Sequence, residues 1–319
     1  MVSLHDLQEA RTLLTAVAVR TPLLEWTAAS EQRKLFLKLE NQQPIGAFKL
    51  RGAYNKVASL DPIARSRGVV SYSSGNHAQG VAYAARALGV KAIIVMPGNA
   101  PKIKIDATAA LGAEIIFVGP GSEERRVRAE ELASQHGYAV VPPYNDEKII
   151  AGQGTVGLEI LEQLPEVETI LVPVGGGGLI SGVAAAIKLS NPKIKVIGVE
   201  PEFASDARAS LRAGHVVAFA AEQVTRTLAD GLRTQSIGAI NFQHIRVYVD
   251  DIVSVTEGEI REAMLALSTN PQTVAEPSGA VAPAAFFFHA DELPDTKINI
   301  AVISGGNIDP VLLAELRYR

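Results

Sequence analysis

TILVPVGGGGLISGVAAAIK, residues 169–188, reads as three pieces in a row: a buried strand, four glycines and an alanine-rich helix. A strand that turns through glycines straight into a helix is half of a βαβ unit. The same rhythm runs on either side of it. Between residues 68 and 145 the pattern predicts strands at 69–72, 91–96, 114–118 and 138–141. Between them it predicts helices at 77–88, 102–111 and 122–136, stopped by Gly89, Gly112 and Gly137. Further on, helices are predicted at 147–164, 203–213, 257–270 and 278–290, and strands at 193–199, 252–255 and 297–303. Ahead of all this come an amphipathic N-terminal helix, a break at Thr21-Pro22, a strand at 34–40, a loop at 41–46 and a helix at 51–60. Strand and helix alternating at this spacing means an α/β chain of doubly wound, mostly parallel open sheets. Pro142-Pro143 is the best candidate for a crossing between two domains.

In such sheets ligands sit at the carboxyl ends of strands. Three loops there are unusual. Gly175, Gly176, Gly177 and Gly178 let the backbone approach an anion, and the next helix directs its N–H groups and positive dipole end at the same point. A phosphate suits it. The lysine and serine or threonine of a nucleotide phosphate loop are missing from GGGGLISG, and so is the spacing of a dinucleotide fingerprint. A flexible connector is the other reading. Ser73-Ser74-Gly75-Asn76-His77 offers more polar groups than an N-cap needs and can hold a carboxylate or a phenolic oxygen. Ser304-Gly305-Gly306-Asn307 puts a hydroxyl at a strand end, within reach of a ring nitrogen, or is a tight turn. Lys49, in AFKLR (47–51), is flanked by Phe48 and Leu50. Desolvation lowers an amine's pKa, and a neutral amine attacks carbonyls. Most lysines in such settings simply keep the ammonium in water. An amine, an anion cradle and a hydroxyl for a ring nitrogen together describe a pyridoxal phosphate site.

The motifs KLENQQPIGAFKLRGAYN, SSGNHAQGVAYAA, IAGQGTVGLEI, PVGGGGLISG, LADGL, EPSGA and ISGGNID occur in that order. With them the chain, from about Thr21 to about Asp309, resembles the serine/threonine dehydratase and serine racemase family of fold-type II pyridoxal phosphate enzymes. The resemblance implies a tryptophan synthase β-like fold with the cofactor in the cleft between two domains. Residues 1–67 with 146–319 would form a large cofactor-binding domain, and 68–145 a small domain closing on substrate. Lys49 would tether the cofactor and act as the Cα base on one face, with Phe48 packed on the ring. Gly175 to Gly178 would hold the phosphate, Asn76 the ring 3′ oxygen, and Ser304 would face the pyridine nitrogen. Ser73, Asn76 and His77 would hold the substrate carboxylate with Asn145 nearby, and Ser74 would stand on the opposite face from Lys49.

A hydroxyl is a poor acid toward pyridine, so Ser304 leaves the ring neutral, which favours prompt expulsion of a β-leaving group. The expected reaction takes a 3-hydroxy amino acid such as L-serine or L-threonine to a 2-oxo acid and ammonia. The alternatives are a serine racemase with side elimination, which serine at position 74 allows, and a dehydratase of hydroxyaspartate or phenylserine. A non-catalytic binder of pyridoxal phosphate or a nucleotide is a further class. Glu200 and Asp206, with the carbonyl of Ala204 between them, match the metal site of the racemase-like branch. Carboxylates and a carbonyl suit Mg²⁺ or Ca²⁺ in a structural role; two exposed acids at a helix start are the plain reading. The family usually has serine where Ala47 stands, which leaves the subfamily open.

Composition agrees with a globular enzyme. The 319 residues are 47% apolar and 20% charged, with a net charge of −4 and no cysteine. Disulfides, thiolate catalysis and cysteine–metal sites are thereby excluded, and no basic tract suggests nucleic acid. Neither a secretory signal nor a membrane-length apolar run is seen, and the chain ends soon after ISGGNID, without room for a regulatory domain. The expectation is a cytoplasmic homodimer acting on a small amino acid.

Overall fold

The computed structural model describes residues 1–317 except Ser74, Pro101 and Pro120. Among the described residues ten strands form two sheets: β1 (Leu23–Glu25), β2 (Lys34–Leu39), β3 (Val69–Tyr72), β4 (Ala92–Pro97), β5 (Glu114–Val118), β6 (Ala139–Val140), β7 (Thr169–Pro173), β8 (Lys195–Pro201), β9 (Asp251–Val255) and β10 (Ile298–Ile303). The larger sheet has the order β1-β2-β10-β7-β8-β9, and the smaller β5-β4-β3-β6. Among the described strands only β1 runs antiparallel, pairing with β2. The remaining neighbours in both sheets are parallel. Parallel strands covered by helices on both faces read as continuous apolar runs, and β4 is buried at all six positions.

The expected strands are all present, within about two residues. The N-terminal helix stops earlier than its pattern suggests, at Leu14. The helix expected at 51–60 starts two residues sooner, at Lys49. Among the described residues four helices had no clear sequence signal, namely Pro62–Arg67, Ala221–Val224, Ala239–Tyr248 and Pro310–Arg317. AINFQHIRVY carries several β-branched and aromatic residues of modest helix propensity. Its helix is held instead by burial of Phe242 and Ile245 against the core of the larger sheet.

Three packed groups make up the main core, one on each face of the larger sheet and one between the smaller sheet and its helices. The helix Lys49–Ala58 joins them. It follows β2 of the larger sheet, yet packs on Asn76–Leu88 beside the smaller one and on Glu147–Gln163. No described helix is long and apolar enough to cross a membrane.

Candidate active site

The loop that delivers Lys49 is sewn to the end of β10. The Phe48 N–H donates to the Ser304 carbonyl at 3.0 Å, and the Gly306 N–H to the Gly46 carbonyl at 2.9 Å. Asn307 Nδ2 donates to the Ile45 carbonyl at 2.9 Å, and Ala47 bridges to Gly305. This seam puts Lys49 and Ser304 side by side. Ala47 lies within it, fully buried.

The Lys49 amine donates to the Pro143 carbonyl at 2.8 Å and lies 5.2 Å from the centre of the Phe48 ring. Burial pulls its pKa down to about 8, and no carboxylate pulls it back. One residue beyond Pro143, the ring of Tyr144 packs against the glycine loop: a Cβ at Gly176 would come 2.2 Å from it. Gly177 has φ +89°, a left-handed conformation that glycine adopts without strain, and it caps the helix Gly178–Ser190 without any side-chain bond. The first-turn N–H groups and the positive dipole end of that helix are therefore left for an anion. Burial pushes the Tyr144 phenol up to about 12, so it stays neutral.

His77 is buried beside Lys49. Its Nε2 meets the Val141 carbonyl at 3.1 Å, and its Nδ1 has no partner. Burial first, then the charge of Lys49, hold it down to about 3. A neutral ring donating from Nε2 can only accept at Nδ1, so the donor it offers a carboxylate is its backbone N–H in the first helical turn. Ser73 Oγ accepts from the Gly75 N–H at 3.3 Å. Ser74 lies outside the described residues. Asn76 opens the helix Asn76–Leu88, with its side chain bonded to Glu276 and Asn307. Ser304 is buried, and its hydroxyl donates to the Ser278 carbonyl at 3.3 Å. Asn145 commits its side-chain oxygen to the Ile240 N–H at 3.0 Å, at the start of Ala239–Tyr248.

Glu200, at the end of β8, accepts from the backbone N–H groups of Ala207 and Arg208 at 2.9 and 2.8 Å. Both carboxylate oxygens of Asp206 are buried without a hydrogen-bond partner, and Ala204 is buried in the turn Glu202–Ala204. Burial lifts Glu200 well above the usual range, with Asp206 adding to it, and lifts Asp206 to about 7. Among the described residues no three acidic or histidine side chains converge as a metal cluster.

Two features went unforeseen. Tyr144 had no signal beyond following two prolines. Two residues after Lys49, Arg51 centres a buried ionic cluster: it bonds both oxygens of Glu40 at 2.8 Å and both oxygens of Glu159 at 2.7 and 2.9 Å. Lys38 joins it through Glu159 at 2.6 Å.

Comparison with known proteins gives a consistent outcome. A family model described as "Pyridoxal-phosphate dependent enzyme" matches residues 14–305. The L-threonine ammonia-lyase of Thermotoga maritima is 48% identical over 313 residues, covering 97% of this chain and 76% of that protein. The catabolic L-threonine dehydratase of Escherichia coli strain K12 is 42% identical over 311 residues, covering 97% and 94%. The solved structure of maize serine racemase superposes with a TM-score of 0.94 at 38% identity, covering 99% of this chain and 97% of that one.

Proposed function

We propose that this chain, which belongs to the pyridoxal-phosphate dependent enzyme family, is a dehydratase that converts L-threonine or L-serine to a 2-oxo acid and ammonia. Relatives named as threonine ammonia-lyase and threonine dehydratase, similar over nearly the whole chain, support the reaction class. The observation that carries the reading is the Lys49 amine, half-buried without a carboxylate partner and held to about 8, bonded to the carbonyl one residue before the ring that packs on an uncapped helix N-terminus.

The residues present fit the cofactor. Lys49 would tether it, the amides of Gly175, Gly176, Gly177 and Gly178 would hold its phosphate, Phe48 would pack on its ring, and Asn76 and Ser304 would meet the ring oxygen and nitrogen. Pyridoxal phosphate, when bound, supplies an aldehyde for amines and a conjugated ring that stabilises negative charge at the substrate Cα. Lys49 Nζ, free of charged partners, takes the Cα proton as general base. The first-turn amides at Asn76 and His77, with Ser73, hold the substrate carboxylate. His77 and Tyr144 stay neutral, so neither adds a charge beside Lys49. In the same reading, residues 1–67 with 146–319 form the cofactor-binding domain and 68–145 the domain that closes on substrate; the two separate sheets support that division.

A cation, Mg²⁺ or Ca²⁺, bound by Glu200, the Ala204 carbonyl and Asp206 belongs to this proposal too. Two buried acids whose charge burial disfavours, one of them making no close hydrogen bond through its carboxylate, are what a hard cation would relieve. Similarity to maize serine racemase favours a second activity, inversion at Cα. The test is direct. Purified protein is supplied with pyridoxal phosphate, its visible absorption is followed, and L-threonine, L-serine and 3-hydroxyaspartate are scored for 2-oxo acid. Lys49→Ala should lose both colour and turnover. Protein that stays colourless, or that yields no 2-oxo acid from any of the three, would overturn the reading.

A further inference from the structure

The motif EPSGA, residues 276–280, has no part in the chemistry above, yet its glutamate reaches the site. Glu276 precedes the helix Pro277–Phe288 and is 3% exposed. Its carboxylate accepts from Asn76 Nδ2 at 2.5 Å. Asn76 Oδ1 in turn accepts from Asn307 Nδ2 at 2.8 Å, and Asn307 Nδ2 also donates to the Ile45 carbonyl. Burial, then Asp230, lift Glu276 to about 7; while it is ionised, a backbone carbonyl at one end and a carboxylate at the other are both acceptors, so neither amide can turn over without setting like poles together. One hydrogen on Asn76 Nδ2 is left uncommitted.

The contact passes through a notch. A Cβ at Gly305 would stand 2.2 Å from Glu276 Oε1 and 3.2 Å from Asn76 Nδ2, and a Cβ at Gly279 would stand 2.2 Å from the Gly305 carbonyl. Two glycines from two motifs therefore exist side by side, where any larger residue would part Glu276 from Asn76. The charged groups facing Glu276 are Asp230 and Lys104, which pair with each other.

We propose that Glu276 is a positioning residue for the bound cofactor: through the Gly305 notch it locks the Asn76 amide so that an N–H, not a carbonyl, is presented to the ring oxygen. This rests on the reading that Asn76 meets that oxygen. The test is the absorption spectrum and the affinity of added pyridoxal phosphate, measured on the whole chain with a thermal melt as the folding control. Glu276→Ala frees the amide to turn and should weaken cofactor binding about tenfold, roughly one charge-assisted hydrogen bond, and shift the visible band. Glu276→Gln keeps an acceptor and should stay within about threefold of wild type. In Asn76→Ala protein, adding Glu276→Ala should change nothing further. Should Glu276→Ala fail to fold, Glu276→Asp, whose shorter side chain draws the acceptor back from Asn76 Nδ2, should give the same band shift. If Asn76→Ala alters neither spectrum nor affinity, the placement of Asn76 fails. If Asn76→Ala alters both while Glu276→Ala does not, or if the two effects add in full, the positioning role alone is wrong.

Discussion

Replacing Arg51 by methionine should destabilise the apoprotein by about 3–5 kcal/mol at neutral pH, the usual cost of stripping one partner from a buried ion pair. Arg51 is 1% exposed and Glu40 is fully buried. Without the guanidinium, Glu159 still has Lys38, but Glu40 keeps only the Thr21 hydroxyl and the Gln43 amide. The cost thus falls mainly on Glu40, and its pH dependence can be signed. In the wild type, burial would raise Glu40, but Arg51 first and then Lys38 hold it below its ordinary value. That contribution is present above about pH 4.5 and fades as the pH falls. In the variant burial goes unopposed by Arg51, Glu40 rises, and protonation relieves the strain. The gap between the two proteins should therefore be widest near pH 7.5 and narrow toward pH 5. Urea unfolding at both pH values measures it, with the slope m checked for constancy. A gap under about 1 kcal/mol at pH 7.5, or one that widens on acidification, would refute the reasoning.

Three further outcomes are expected. His77, held down to about 3 by burial and by Lys49, contributes stability that is present above its ordinary value near 6.5 and is lost as the pH falls. Wild type should thus lose up to about 2 kcal/mol more than His77→Leu between pH 7 and pH 5, and parallel pH profiles in urea unfolding would contradict this. Mg²⁺ or Ca²⁺ at about a hundred times its dissociation constant should stabilise the wild type by about 2.7 kcal/mol. Asp206→Asn should abolish the response, and an equal rise in the melting temperature of that variant would remove the cation from this site. Ser74→Ala should end inversion of L-serine to D-serine while elimination from L-serine stays within about threefold, as expected of a group acting on one face only; chiral chromatography beside a 2-oxo acid assay checks it, and equal loss of both activities would contradict a two-face scheme.

The strand–helix alternation and the glycine stops were legible in the order of residues, and Lys49 and Gly175 to Gly178 stood out there as candidates. Periodicity and capping act over a few neighbours, so β3, β5 and the helix Ser122–His136 fell where the pattern put them. The helix Ala239–Tyr248 was not legible, because its local preferences are weak and its burial against the larger sheet supplies what propensity does not. Nor was the support of the site. Arg51 finds Glu159, and Asn76 finds Glu276, across 108 and 200 positions of chain. Only the assembled fold dictates that a carboxylate must lie there, because a buried polar group has to meet a partner wherever packing leaves one. The residues thus announced which groups were candidates for chemistry, and the tertiary structure decided how each is held, because burial lowers the pKa of Lys49 and His77 while Glu276 and Asn307 orient Asn76.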